Sequence, residues 1–224
     1  MRETVNSEAL DAQGKLDELH DEIDACVRCR TAGQTIVKPP SMFRGVAGST
    51  VMAVGIAPGR GAIRAGLAFA GQSIRRLLGW FASAGYVMSE DVFRRSLYFT
   101  SLNKCAVDPD GPTNRRELWS RCNPFLWRQL ECVGPRLVLV LGQEPAKMIL
   151  GMSGNPAHMI VGSVWTTVDI FGSQLFPPST LDARWLLIPH PSGLSRTMND
   201  PAIQSLVISA LRTELIAANF VPVT

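Results

Sequence analysis

Three groups of residues in this chain have types and spacings that can do chemistry. Cys26-Val-Arg-Cys29 lies near the start and is answered far downstream by Cys105 and Cys122. Two thiolates in a Cys-x-x-Cys pair can bind one metal centre. Gly55-Ile-Ala-Pro-Gly59 follows an apolar run, and glycines at such a turn let the backbone approach a phosphate or a planar ligand closely. His190-Pro-Ser-Gly-Leu-Ser-Arg196 follows another apolar run. A neutral imidazole there can donate to a developing oxyanion. The Pro191, Ser192 and Gly193 turn can grip a phosphate through a hydroxyl and backbone amides. Leu194 would then be an exposed apolar tip, suited to wedging into a base stack.

Each group also has a plainer reading. Gly61 is followed by Ala62 and Ile63, so the Lys-Ser or Lys-Thr of a nucleotide-binding loop is missing, as is the third glycine of a dinucleotide fingerprint. A tight structural turn remains open. Phe69 stands between Gly66 and Gly71, where its face can stack on a base for roughly 1–3 kcal/mol, or the ring can lie in the core. A lone histidine can be structural, and any one cysteine can be a small buried apolar residue. Cys132 has no partner at a telling spacing and is read as core.

The elements that must position these groups are legible as alternating strands and helices. Apolar runs at 50–56, 97–101, 137–142 and 185–189 read as strands, three of them nearly continuous Val, Leu and Ile as expected for burial on both faces. Helical patterns cover 73–83, 115–131, 144–150 and 201–218, and Leu10, Leu16, Leu19 and Ile23 mark an amphipathic helix over 7–24. Such alternation predicts an α/β fold, a three-layer α/β/α sandwich around a short, mainly parallel four-stranded sheet. Ligands in such sheets sit outside the carboxyl ends of the strands, where the glycine turn, Ser101–Cys105 and His190 all fall. The stretch 151–184 is rich in Gly, Pro and Ser, with β-prone segments at 159–161 and 164–171, and reads as a hairpin insertion with a loop.

At 224 residues the chain can bury one full core, and it is read as a single domain over 1–224, with an N-terminal helix and cysteine segment over 1–45 and an α/β core over 46–218. No apolar run reaches the ~20 residues that span a bilayer. With no basic-then-apolar leader, a cytoplasmic protein without a membrane partner is expected. Five cysteines in such a compartment argue against a disulfide framework. A net charge of +3 is too small to establish a nucleic-acid partner. The pairs Arg75/Arg76, Arg94/Arg95 and Arg115/Arg116 fit either a phosphate-facing patch or solvated helix faces.

Taken in order, these motifs resemble the uracil-DNA glycosylase superfamily, specifically its iron–sulfur branches, families 4 and 5. The resemblance rests on Gly55-Ile-Ala-Pro-Gly59 with Gly66-x-x-Phe69-x-Gly71, on Thr100-x-x-x-Lys104-Cys105, on His190-Pro-Ser-x-Leu-x-Arg196 and on the four cysteines. It implies a four-iron four-sulfur cluster of structural role on Cys26, Cys29, Cys105 and Cys122, with zinc the other occupant that four thiolates suit. It implies DNA as the partner of a monomeric protein, with the flipped base held by Gly55, Ile56, Ala57 and Phe69. His190 would stabilise charge at the base O2, with Ser101 and Asn103 as the other catalytic and base-reading candidates. Pro58, Gly59, Ser192, Gly193 and Arg196 would hold the strand, and Leu194 would fill the vacated space.

The chain departs from the family pattern at informative places. Ile56 stands where family 4 has Glu, and Gly61-Ala-Ile63 replaces acidic residues. Ser101 takes the place of the Asn that follows the threonine, and Asn103 shares its side only if the strand stays extended. Ala68 replaces a common Pro. Loss of a large acid and of a base-reading amide implies a re-tuned pocket for a modified pyrimidine, including the hypermodified cytosines of some viral DNA. A non-catalytic DNA-binding or damage-sensing module is the reading from another class.

Overall fold

A computed structural model describes residues 2–34, 36–37, 42–107, 115–150, 162–166, 181–192 and 197–223. The chain opens with α1 (Arg2–Ala25) and a single turn, α2 (Arg28–Thr31). After β1 (Ile36–Val37) it enters the core through β2 (Val51–Gly55), followed by α3 (Arg60–Ala65), α4 (Gln72–Ser83) and α5 (Glu90–Ser96). Then come β3 (Leu97–Ser101), β4 (Ala106–Val107), α6 (Arg115–Val133), β5 (Leu137–Leu141) and α7 (Gln143–Leu150). The remaining elements are β6 (Val164–Thr166), β7 (Arg184–Ile188), a 3-10 turn (Thr197–Asn199) and α8 (Pro201–Ala217).

The main sheet has the order β3-β2-β5-β7-β6. Its first four strands are parallel, and β2, β3 and β5 are buried at every position, which explains their unbroken apolar runs. The sequence predicts four strands, and among the described residues the sheet has five. Val164–Thr166 adds an antiparallel edge to β7, with Trp165 opposite Trp185. Three half-exposed residues amid glycine and serine give too short a pattern to separate an edge strand from a free hairpin. The rest of the expected insertion, at 151–161 and 167–180, lies outside the described residues.

Two helical groups flank the sheet. One contains α4, α5 and α8, with α8 packed on α4 and β7; in the other, α6 packs on β3 and carries α1. Leu16, Leu19 and Ile23 of α1 are buried in the common core, as their spacing predicts, whereas Leu10 is exposed. Arg128 of α6 clasps Glu22 of α1 with two bonds of 2.5 and 2.6 Å. Arg184 of β7 makes a paired contact with the buried Glu214 of α8. No described helix is long and apolar enough to cross a membrane.

Three helices escape the sequence reading because each is too short to show a period. One of them, α5, does carry a start signal: Ser89 accepts from the Val92 N–H at 3.2 Å, with Glu90 and Asp91 in the first turn. The two-residue strands β1 and β4 pair antiparallel, Ile36 opposite Val107, and join the segment after Cys29 to the one after Cys105.

Candidate active site

The parallel strands all end at one edge, and an open cleft of about 150 Å³ lies there. Its walls come from the turn after β2 (Gly55, Ala57, Pro58, Gly59), the start of α3 (Gly61, Ala62), the loop Ala68–Ala70, Ser73 of α4, Ser101 at the end of β3, and His190 after β7. Met42 and Phe43 close it from the N-terminal side. Among the described residues that line it there is no Asp or Glu. Of the expected base-contacting residues, Gly55, Ala57, Phe69 and Ser101 line the cleft; Ile56, half-buried at the turn, and Asn103 do not.

Phe69 is a wall of this cleft rather than a core residue. It adopts a left-handed backbone, φ 52°, which is unfavourable for a bulky side chain and needs outside support. Arg94 supplies it, donating to the Ala68 carbonyl at 2.9 Å and the Phe69 carbonyl at 3.4 Å. The ring meets Phe99 at 5.7 Å and lies so close to Gly55 that a Cβ there would stand 2.8 Å from its Cζ. Gly55 is therefore glycine because the aromatic ring occupies the side-chain space. This gives the first glycine of the motif a reason that a generic turn reading lacks.

His190 is held in one chemical form. Its Nδ1 accepts the Ser192 N–H at 3.1 Å, so the neutral ring carries its proton on Nε2. Burial lowers its pKa below the ordinary 6.5, which keeps the ring neutral near pH 7. Two neighbours fix this arrangement. Arg76 of α4 donates to the Ser192 carbonyl at 2.6 Å. Gly142, which follows β5 with φ 103°, leaves room for the histidine, since a Cβ there would meet the His190 Cβ at 3.0 Å. Gly193, Leu194 and Arg196 lie outside the described residues.

The segment after β3 bends instead of staying extended. The Leu102 and Asn103 N–H groups bond to the Gly55 and Ile56 carbonyls in succession, at 2.9 Å each, a pattern no regular strand has. Ser101 lines the cleft while its hydroxyl donates to the Asn103 carbonyl at 2.6 Å. Asn103 is buried, and both polar atoms of its amide are without a partner among the described residues. The condition that would set Ser101 and Asn103 on one face is thus not met.

Behind Ser101 runs a buried polar chain. Lys104 Nζ donates to Thr100 Oγ1 at 2.8 Å, the Ser101 carbonyl at 2.6 Å and Gln129 Oε1 at 2.6 Å, which uses all three of its donors. Gln129 donates to the Tyr98 hydroxyl, which meets His20 Nε2 at 2.8 Å. Burial brings the Lys104 pKa down to about 7.

The cysteine segments meet beside this chain. Cys29 lies on α2, Cys26 just before it, Cys122 on α6 and Cys105 directly before β4. Cys29 and Cys122 are buried and hydrogen-bonded to each other, Cys26 is close enough to both to interact electrostatically, and the Lys104 N–H donates to the Cys122 sulfur. Burial, then the neighbouring Cys122, pushes the Cys29 thiol up to about 11. Among the described residues no three His, Cys, Asp or Glu side chains already stand in a metal-holding arrangement. Crowded thiols that resist ionisation fit a site that a positive centre would convert to thiolates. Cys132 is half-buried and packs against the core, as its lack of a partner suggested.

One of the three arginine pairs does not form a free phosphate patch. Arg94 and Arg95 are held by Glu90 and Asp91, and the side chains of Arg115 and Arg116 lie outside the described part. Arg75 and Arg76 are exposed on α4.

Comparison with known proteins gives a consistent picture. Residues 43–212 match the model of the uracil DNA glycosylase superfamily. The chain is 29% identical over 145 residues to a Type-4 uracil-DNA glycosylase of Pyrobaculum aerophilum, covering 65% of this chain and 69% of that protein. A Type-4 uracil-DNA glycosylase of Archaeoglobus fulgidus is 28% identical over 137 residues, 61% of this chain and 64% of that protein, just under two thirds of its length. A Type-5 uracil-DNA glycosylase of Pyrobaculum aerophilum is 30% identical over 195 residues, 76% of this chain and 85% of that protein.

Proposed function

We propose, because the chain belongs to the uracil DNA glycosylase superfamily, that its cleft takes a pyrimidine base flipped out of DNA and hydrolyses the N-glycosidic bond. Membership makes it a hydrolase acting on N-glycosyl bonds. The observation that carries the residue-level reading is His190, half-buried at the cleft, neutral and with its proton on Nε2.

The chemistry follows from where charge develops. As the C1′–N bond breaks, its electron pair leaves with the base and the sugar becomes a cation. The Nε2–H of His190 donates to the base O2, where negative charge collects, and a fixed donor of this kind is worth far more in a water-poor site than in solution. Phe69, held in place by Arg94, stacks on the flipped base. Water adds to C1′, and its released proton is taken by the departing base or by solvent. With no carboxylate among the described residues that line the cleft, this reading rests on charge stabilisation rather than base activation of water to lower the barrier. Lys104, with its three donors engaged behind Ser101, is not a nucleophile for strand cleavage, and an intact abasic strand is the product.

The backbone at Pro58 and Gly59 and the loop from Ser192 through Gly193, Leu194 and Arg196 hold the flanking strand and fill the gap. The Ser101 hydroxyl, at the cleft wall, is the group that reads the base edge. Small walls at Ala57, Ala68 and Ser101 support a modified pyrimidine as substrate, among which glucosylated hydroxymethylcytosine would imply an antiviral role. Cys26, Cys29, Cys105 and Cys122 hold a 4Fe-4S cluster in this reading, which would supply a structural tie between the N-terminal segment and the loop after β3. The reading of 1–224 as one domain is supported by α1 joining the common core. We take the protein to act as a cytoplasmic monomer.

The test is a set of labelled oligonucleotides carrying uracil, hypoxanthine, hydroxymethyluracil, hydroxymethylcytosine or its glucosylated form, with alkali used to reveal abasic sites. A modified pyrimidine is expected to be excised fastest. Good excision of uracil with poor excision of every modified base would overturn the re-tuned pocket, and DNA binding without excision of any base would favour the sensing module. Phe69→Ala is expected to slow excision of the preferred base about 10–100-fold, the equivalent of losing ~1–3 kcal/mol of stacking. An unchanged single-turnover rate would remove Phe69 from the site.

A further inference from the structure

The charges around the cleft are segregated in a way the net charge hides. Between Gly45 and Ser89 there is no Asp or Glu, yet the stretch carries Arg60, Arg64, Arg75 and Arg76, one positive charge more than the whole chain's net +3. Arg60 and Arg64 are four residues apart on α3 and therefore share a face. Both are exposed, and α3 begins at Gly59, with Gly61 and Ala62 forming part of the cleft wall. Arg75 is exposed on the first turn of α4, two residues beyond Ser73, which also lines the cleft. Among the described residues none of these three guanidinium groups has an ion-pair partner. Arg44, Arg94, Arg95, Arg121, Arg128 and Arg184 each have one. Arg76 is engaged by the Ser192 carbonyl.

We propose that Arg60, Arg64 and Arg75 form a phosphate track along the α3–α4 rim, which holds the DNA strand on the Phe69 side of the cleft. The proposal deepens the glycosylase reading and rests on it for the identity of the polyanion. Unpaired arginines on a rim without carboxylates cost nothing to free from internal partners, and each phosphate they neutralise releases condensed counterions. The track also places positive charge on a helix where acidic residues would repel the strand.

Salt dependence of binding separates a phosphate contact from a general charge effect. Full-length protein is titrated with undamaged duplex and single-stranded oligonucleotides over a range of salt, as wild type, as R60Q/R64Q/R75Q and as Arg136→Gln. Arg136 is an exposed control just before β5, at the opposite end of the sheet from the cleft. On duplex the triple variant is expected to lose about 0.9 from the log–log slope per arginine, and about 0.7 on a single strand. Between 50 and 200 mM salt, three duplex contacts amount to about 40-fold of salt-induced weakening that disappears. Arg136→Gln is expected to keep the wild-type slope. An unchanged slope in the triple variant, or an equal fall in the Arg136 control, overturns the track. A lost slope in the triple variant of a protein that excises no base supports the track and counts against the glycosylase reading instead.

Discussion

His190→Ala is expected to lower the single-turnover excision rate about 10²–10³-fold, with DNA binding unchanged to within a small factor. The effect belongs to the transition state, because the Nε2 donor meets full charge only once the base begins to leave. The pH profile carries the same signature. Burial holds the folded His190 pKa below 6.5, so the neutral form, and the rate, should persist as pH falls through 6.5 and decline only in more acid solution. Protonation would place a hydrogen on Nδ1 against the Ser192 N–H and break the bond that orients the ring. Stability follows the same sign. His190 and His20 both have depressed folded pKa values, from burial first, so the folded state disfavours their charging, and stability should be full above 6.5 and fall below it. An acid limb above 6.5, or an Ala variant as fast as wild type, would remove His190 from the role given to it.

Cys122→Ser should produce the largest loss of stability. Cys122 is buried on α6, bonded to Cys29 and to the Lys104 N–H. A hard hydroxyl there cannot replace a thiolate ligand, and two of the segments around it, α2 and the β1–β4 pair, have little core of their own. Wild-type protein is expected to show visible absorbance with bound iron and sulfide, and the variant to lose both together with stability on the order of 4 kcal/mol. Colourless wild-type protein with stoichiometric zinc would assign the site to zinc. An equally stable variant would show that the thiols are ordinary core residues.

The sheet was readable because strands buried on both faces are written as continuous apolar runs; β3 matches its expected range residue for residue. Fold logic then placed the glycine turn, Ser101 and His190 at one edge, where the cleft lies. What escaped notice depends on contacts between distant segments. No local pattern marks Arg94 as the support of a left-handed Phe69, Arg76 as the anchor of Ser192, or Gly142 as the space beside His190. The placement of Asn103 was hidden for a different reason: alternation assumes an extended chain, and the consecutive bonds to Gly55 and Ile56 bend it. The Arg94/Arg95 pair shows how charge in sequence can mislead, since Glu90 and Asp91 lie one helical turn away and neutralise both.

The most direct test of the central claim is mass analysis of the products when an oligonucleotide carrying the preferred modified pyrimidine is incubated with the protein before any alkali is added. A free base together with an unbroken strand bearing one abasic site, both absent with His190→Ala, is the predicted result. A strand of unchanged mass while the DNA remains bound would contradict it.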